Sequence, residues 1–377
     1  MRSKAIVSGI GVTSFGVFED EAVNAVSLAS TALTNALADA ALTREDIDAL
    51  IVVRVPDYQL FALNFGIDPK LAFTLQPQGR MSGVAMQLAT SLIASGAARN
   101  VAIAYGNDGR SRGVKYGGAG DRYGSEDASI WFPYGMTSPG AAHAMMFAQH
   151  AHEYGTDSHA LASIAVAFRH HATLNPGAVM RKPITIDDHR ASRFIAEPLR
   201  LLDYCLINDG GVAIILGSAG SAHDQPHAPV YVRAVDTQTR LTGSTFPPED
   251  YWRAPMQAVA RSVYATSGLD PSDMDALMIY DNFSPTVLFS LEGFGYCKPG
   301  ESGPWVSEGH LALGGRYPTN TSGGHLSESY MQGFGLIAES VRQVRKSAGD
   351  RQVANAHNVH FMCASPVCSS VIFSDTP

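Results

Sequence analysis

Residues 41–50, ALTREDIDAL, return in altered form at residues 268–277, GLDPSDMDAL. Each copy follows a long stretch with the apolar spacing of a helix, and each leads into an apolar run typical of a buried strand. The first copy lies between a predicted helix at 19–42 and a predicted strand at 47–54. A repeated unit of this kind indicates two related half-domains in one chain.

Outward from the first copy, apolar runs alternate with stretches of helical spacing. Residues 4–11 and 100–105 are predicted strands, and residues 82–96, SGVAMQLATSLIASG, are predicted to form a buried helix because apolar residues cover most of its faces. Strands that alternate with helices predict an α/β sandwich with mostly parallel sheets.

The polar, turn-rich stretch 219–228, AGSAHDQPHA, divides the chain into two parts. We predict an N-terminal half at 1–220 and a C-terminal half at 228–377. Residues 106–140 are rich in Gly, Ser, Arg and Tyr and are predicted to form a long loop excursion from the first half. Loops of such length in compact domains are usually functional or mobile.

Composition excludes several classes of protein. The chain has 377 residues, a formal net charge of −8 and four cysteines, none of them in a CxxC pair. Bulk charge therefore does not indicate nucleic-acid or anionic-membrane binding, and a reducing cytoplasm is the expected location. The sequence has neither a signal-peptide type of apolar segment at its start nor an apolar run of membrane-spanning length, so no membrane span is expected.

Several motifs resemble those of the thiolase superfamily over essentially the whole chain. They are DGGVA at 209–213, YDNF at 280–283 and NTSGGHLSESYMQG at 320–333. The resemblance implies two duplicated halves in a layered αβαβα sandwich, with buried helices beginning near Ser82 and Gly323 that face each other at the centre. The motifs WFPYGMTSP at 131–139, RKPITIDD at 181–188 and SRFIAEPLRLLD at 192–203 are similar to the lipid-transfer-protein or sterol-carrier-protein-X-like branch, some members of which are steroid side-chain-cleaving aldolases.

The residues that a thiolase uses for covalent catalysis are replaced. In the segment GRMSG, residues 79–83, Arg80 stands where the resemblance places the nucleophilic cysteine, and arginine cannot form a thioester. Tyr330 stands in place of the catalytic histidine, and Tyr280 in place of an asparagine that helps to form an oxyanion hole. Further candidates for supporting roles near these positions are Asp281, His325, Glu328, Arg80 and Cys363.

A retro-aldol cleavage of a β-hydroxyacyl-CoA suits this set of residues, because it needs a base, an acid and an oxyanion site but no covalent nucleophile. Tyr330 is predicted to be the base or proton shuttle and Tyr280 the oxyanion donor, or the roles are exchanged. Since tyrosine has an ordinary pKa of about 10, a tyrosine base needs a lowered pKa or a proton relay. Taken singly, each tyrosine also fits an amphipathic core residue.

Partners and alternatives follow from the same resemblance. It implies a homodimer and an OB-fold/zinc-ribbon accessory subunit that completes a heterotetramer. No metal site and no cofactor on this chain are expected, since the CoA moiety arrives with the substrate and His150 and His152 diverge on a helix. The alternatives are a non-catalytic protein that binds acyl-CoA or lipid, and a scaffold that only dimerises and holds an accessory domain.

Overall fold

The computed structural model describes residues 4–20, 22–76, 81–114, 138–240 and 247–377. Its strands are β1 Ala5–Val12, β2 Ala49–Val53, β3 Leu71–Leu75, β4 Asn100–Asn107, β5 Phe194–Ala196, β6 Leu199–Arg200, β7 Gly210–Ser218, β8 Val230–Thr239, β9 Ala276–Ile279, β10 Asn358–Cys363 and β11 Val367–Ser374. Its helices are α1 Ala25–Ala40, α2 Tyr58–Phe65, α3 Met81–Ala94, α4 Pro139–Tyr154, α5 Ser158–Thr173, α6 Ile186–Ala191, α7 Arg253–Ser267, α8 Ser284–Gly293, α9 Ser302–Ser307, α10 Gly324–Ser327 and α11 Phe334–Val344. None of the helices in these ranges is long and apolar enough to cross a membrane.

Nine strands form one sheet in the order β3-β2-β4-β7-β1-β8-β11-β10-β9. The expectation of mostly parallel strands is wrong: β2 pairs in parallel with β3 and β4, and β9 with β10, while the other pairs are antiparallel. The reason lies in the connections. Parallel neighbours need a long crossover, as α2 provides between β2 and β3, whereas β10 and β11 are joined by a turn that only an antiparallel pair allows.

The core has three parts that correspond to the layers of the sandwich. The central cluster joins α3 and α11 to inward residues of strands on both sides of the β1–β8 pair, such as Val101 in β4 and Phe361 in β10. A second cluster packs α1 and α2 on the outside of the first strands, and a third packs α4, α5, α7 and α8 on the outside of the last ones. The layered α/β arrangement is therefore confirmed.

The repeated stretch corresponds to a repeated structural unit. Asp48 precedes β2, and its carboxylate accepts hydrogen bonds from Arg99 N and Asn100 N (2.7 and 3.0 Å) at the start of β4. Asp275 precedes β9, and its carboxylate accepts from His357 N and Asn358 N (both 2.8 Å) at the start of β10. In both places an aspartate fixes the first residues of the neighbouring parallel strand. β2 and β9 therefore begin from equivalent hydrogen-bonding arrangements.

The first central helix begins where the sequence predicts, but the second does not. Helix α3 begins at Met81, next to the predicted Ser82, but only one helical turn, α10, follows Gly323. The long helix of the second half begins at Phe334, after Gly333 has turned the chain with φ +90°. Gly333 lies against α3, since a Cβ there would come within 2.5 Å of Ser82 Oγ. The ends of the two central helices therefore meet at Gly333 rather than at Gly323.

Candidate active site

Tyr280 and Tyr330 meet where the second half of the sheet ends. Tyr280 follows β9, and its N–H donates to Met362 O (2.8 Å) in the neighbouring strand β10. Tyr330 lies between α10 and α11, and its N–H donates to Asn208 Oδ1 (2.8 Å). Both residues are buried, and their hydroxyl oxygens are 2.8 Å apart in a hydrogen bond. The two residues that the sequence singled out thus form one bonded pair.

His325 lies beside both tyrosine rings. Its ring centroid is 4.7 Å from that of Tyr280 and 5.0 Å from that of Tyr330, with both contacts edge to face. Gly333 N–H donates to His325 Nε2 (3.1 Å), which leaves the ring proton on Nδ1. Burial lowers the pKa of His325 to about 3. The imidazole is therefore neutral at physiological pH, and it holds the tyrosine rings in place without adding a positive charge.

Asp281 fixes the turn that carries His325. Its carboxylate accepts from His325 N (2.9 Å) and Leu326 N (3.2 Å), the first amides of α10. His325 Nδ1 is 3.4 Å from Asp281 Oδ1. Burial raises the pKa of Asp281 to about 8, although the hydrogen bonds from these backbone amides act in the opposite direction. Asp281 thus fixes the turn that places His325 against both tyrosine rings.

The remaining candidates lie at different distances from the pair. Glu328 Oε2 accepts a hydrogen bond from Ser322 Oγ (2.7 Å), and Glu328 Oε1 accepts one from Asn175 Nδ2 (3.0 Å). Its carboxylate therefore faces the residues that surround the site. Burial raises the pKa of Glu328 to about 7. Cys363 ends β10, one residue beyond the Met362 that bonds to Tyr280, and is buried. Arg80 and most of the predicted 106–140 excursion lie outside the described residues.

Two asparagines that the sequence reasoning missed build the frame of the site. Asn320, at φ +50°, donates from Nδ2 to Ile279 O (2.8 Å) and accepts at Oδ1 from Ile279 N (2.7 Å). At the end of β9, the Asn320 side chain thereby makes the two backbone hydrogen bonds that a neighbouring strand would otherwise make. Asn208 accepts the amide of Tyr330, and its own carbonyl accepts from Asn107 Nδ2 (2.7 Å). Asn320 begins the quoted motif NTSGG, and Asn208 directly precedes the quoted motif DGGVA, so these two motifs were the available signal.

Comparison with known proteins agrees with this geometry. The chain is 36% identical over 361 residues to the 17-hydroxy-3-oxo-4-pregnene-20-carboxyl-CoA lyase of Mycobacterium tuberculosis, covering 92% of each chain. It is 36% identical over 355 residues to the steroid side-chain-cleaving aldolase of Thermomonospora curvata, covering 90% of each. The chain belongs to this aldolase family of the thiolase superfamily.

Further comparisons support both the fold and the class of enzyme. Residues 242–365 match the family described as thiolase C-terminal domain-like. The solved structure of the Ltp2–ChsH2(DUF35) aldolase superposes with a TM-score of 0.88 at 33% identity, covering 98% of this chain and 97% of that one. The predicted family, the thiolase fold and the carbon–carbon lyase class are therefore confirmed. The catalytic roles of individual residues stay predictions.

Proposed function

We propose that this chain is the catalytic subunit of a retro-aldolase that cleaves β-hydroxyacyl-CoA thioesters, steroid side-chain thioesters among them, through Tyr280 and Tyr330. The observation that carries the proposal is the 2.8 Å hydrogen bond between these two buried hydroxyls. A shared proton between two phenols allows one to act as base while the other remains a donor, which is what a retro-aldol step requires.

The step balances without a covalent intermediate. Ionised Tyr330 takes the proton of the β-hydroxyl, the β-carbon oxygen forms a carbonyl, and the bond between Cα and Cβ breaks. Its electron pair moves into the thioester as an enolate, whose oxygen receives a hydrogen bond from Tyr280. Tyr330 then returns a proton to Cα, which gives the short acyl-CoA and restores the phenolate. We assign the base to Tyr330 because its side chain also lines a pocket, whereas Tyr280 lies deeper.

Neutral His325 suits this assignment. A protonated imidazolium beside the rings would return a proton to the phenolate, whereas the neutral imidazole leaves proton transfer to the two hydroxyls and the substrate. The amide of Gly333 holds Nε2, so the ring cannot rotate without the loss of that hydrogen bond. We infer that Asp281 and His325 position the tyrosines, while Glu328 and Cys363 support the frame.

The substrate class follows from the relatives. The Mycobacterium tuberculosis relative is named for a steroid with a 17-hydroxyl and a 20-carboxyl-CoA. Those substituents make a β-hydroxyacyl thioester, the arrangement that the tyrosine pair can cleave. We propose a substrate of the same kind for this chain, with the CoA moiety carried by the substrate.

We also propose a homodimer that binds an OB-fold/zinc-ribbon accessory subunit on each protomer, in the cytoplasm. The Ltp2–ChsH2(DUF35) aldolase, a complex by its name, supports the second partner. Support for the first comes from the sheet edge: among the described residues β3 pairs with β2 alone, and Leu63 on the adjacent α2 is 83% exposed. An apolar residue next to an unpaired strand edge is typical of a covered surface.

The test of this function is an assay of acyl-CoA release. The chain is purified alone and together with the product of a neighbouring DUF35-type gene, and a tertiary β-hydroxyacyl-CoA with a steroid ring is supplied. We expect a carbonyl product and a short acyl-CoA in equal amounts. Tight binding of the thioester with no cleavage, even with the accessory subunit present, would favour the non-catalytic binding protein instead.

A further inference from the structure

The internal repeat extends past the stretch that defines it. Ala49 and Ala276 each begin a strand directly after the aspartate of their copy of the repeat. Val53 and Arg54 therefore occupy the positions that Tyr280 and Asp281 occupy in the second half. The second copy uses these positions for its tyrosine and for the carboxylate that orients His325. The first copy therefore brings an arginine to the equivalent strand end.

Arg54 adopts a backbone conformation that arginine rarely takes. Its φ is +60°, in the left-handed region where glycine is relaxed and residues with a Cβ are strained. Strained residues of this kind cluster at functional sites, because their side chain is needed where the strained backbone places it. A glycine would adopt this backbone conformation without strain. The presence of an arginine side chain at this position therefore needs an explanation.

The side chain of Arg54 lines a narrow pocket that reaches Tyr330. Asn107, Gly109 and Leu206 also line it. The guanidinium lies over Gly109, where a Cβ would come within 3.3 Å of Arg54 Nη2. Asn107 Oδ1 accepts from Gly109 N (3.1 Å), and Asn107 Nδ2 donates to the carbonyl of Asn208, whose side chain holds Tyr330. A short hydrogen-bonded frame thus runs from Gly109, next to the guanidinium, to the backbone N–H of Tyr330.

We propose that Arg54 is a positioning residue of the aldolase site, whose guanidinium stabilises the negative charge on Tyr330 when that phenol gives up its proton. This inference rests on the proposed function of the tyrosine pair. Arg54 is the one cationic side chain among the described residues that line the pocket. An opposite charge within about 4–6 Å favours the ionised form of a group by 1–3 pH units, which addresses the need of a tyrosine base for a lowered pKa.

Among the residues that the structure describes, the other titratable groups around Tyr330 do not supply this charge. Tyr280 shares its hydroxyl proton with Tyr330, and His325 is neutral. Asp281 lies behind His325 and bonds to the amides of α10, while Glu328 points to Ser322 and Asn175. The nearby carboxylate that flanks Asn208, that of Asp209, accepts hydrogen bonds from the backbone of Arg110 and Ser111. These groups are neutral or acidic, whereas Arg54, directly after β2, brings a positive charge to the pocket that it shares with Tyr330.

The experiment compares Arg54→Gly, Arg54→Lys and the control Arg99→Gln in the full complex. Arg99 is a matched control, because it lies at the opposite end of the same parallel strands with its side chain 86% exposed. For Arg54→Gly we expect a melting temperature equal to or above that of the wild type, since backbone strain is relieved. We expect its kcat at neutral pH to fall about tenfold or more, with the acidic limb of the kcat–pH profile shifted upward by about one unit. Arg54→Lys keeps the charge and should keep the limb near its original position, and Arg99→Gln should change neither quantity.

The outcomes separate this inference from the function on which it rests. Wild-type kcat and pH profile in Arg54→Gly would overturn the role of Arg54, as would a lower kcat with an unmoved acidic limb, which indicates a structural effect alone. Tyr330→Phe is measured in parallel. If Tyr330→Phe is inactive while Arg54→Gly is normal, the inference on Arg54 fails and the tyrosine mechanism stands. If Tyr330→Phe is fully active, the tyrosine mechanism itself fails.

Discussion

Removal of one hydroxyl from the tyrosine pair tests the proposed chemistry while the packing is kept. Tyr330→Phe and Tyr280→Phe each delete a single oxygen of the 2.8 Å hydrogen bond and retain the ring against His325. A lost general base or acid lowers the rate by about a hundredfold or more, which corresponds to about 2.7 kcal/mol of transition-state free energy. Loss of an oxyanion donor costs on the order of a hundred- to a thousandfold.

The structure also sets the expected change in stability. One buried hydrogen bond contributes about 1 kcal/mol to the free energy of unfolding, and a buried hydroxyl that loses its partner costs somewhat more. Each variant should therefore remain folded, with a modest fall in the urea midpoint. Substrate affinity should change far less than kcat, because the hydroxyls act on charge that appears only in the transition state. The double variant should be no slower than the worse single variant, since the pair works as one unit.

The assay follows release of the short acyl-CoA from a β-hydroxyacyl-CoA, with the accessory subunit present. Tyr264→Phe serves as the matched control, since it removes a partly buried tyrosine hydroxyl whose hydrogen bond goes to Phe294 O (2.9 Å), away from the pair. This control should lose a similar amount of stability and keep its turnover. Near-normal kcat in both Tyr280→Phe and Tyr330→Phe would refute the assignment of the catalytic pair.

Three further results are expected. Iodoacetamide should leave most activity intact, because Cys205, Cys363 and Cys368 are buried and burial raises the pKa of the Cys297 thiol. Rapid inactivation with a label on Cys363 would count against this prediction. Asp48→Ala and Asp275→Ala should each lower the free energy of unfolding by about 1–3 kcal/mol, because each leaves two strand amides without their acceptor. Unequal losses measured by urea denaturation would contradict the equivalence of the two units. Stability should fall as pH drops from about 6.5 towards 5, by roughly 2–3 kcal/mol in total over that interval. The cause is that buried histidines with lowered pKa values take up protons only on unfolding, and they outnumber the two carboxyls of raised pKa, Asp281 and Glu328, that act in the opposite sense; these histidines are His143, His171, His325 and His360. Urea midpoints that stay level or rise on acidification would contradict this balance.

The repeat and the apolar periodicity are sufficient to predict an α/β sandwich with two related halves, because both depend on local patterns, whereas the αβαβα layering is implied by the superfamily resemblance. The repeat lies where Asp48 and Asp275 each fix the next strand, so its sequence similarity reflects a shared hydrogen-bond requirement. Strand direction was not predictable in the same way. The alternation of strands with helices indicates crossovers, but the long-range pairing of β1 with β7 and β8 leaves no trace in local periodicity.

At the site, sequence motifs located the tyrosines but not their surroundings. Motif positions suffice to place Tyr280 and Tyr330 close together, since the superfamily resemblance puts each at a catalytic position. They do not show that the His325 imidazole is neutral, because its pKa depends on burial and on the amide of Gly333. Nor do they indicate Arg54, whose importance depends on a left-handed backbone and a pocket shared with Tyr330. Charge state and three-dimensional proximity are tertiary properties, and residue type alone does not specify them.

The most direct test of the account is the cleavage of a β-hydroxyacyl-CoA in D₂O without added free CoA. Products are analysed by mass spectrometry, together with the intact mass of the quenched protein. A non-covalent retro-aldol step predicts full cleavage without free CoA, one deuterium at Cα of the released acyl-CoA, and protein of unchanged mass. A requirement for free CoA, or an acyl adduct on the protein, would contradict it.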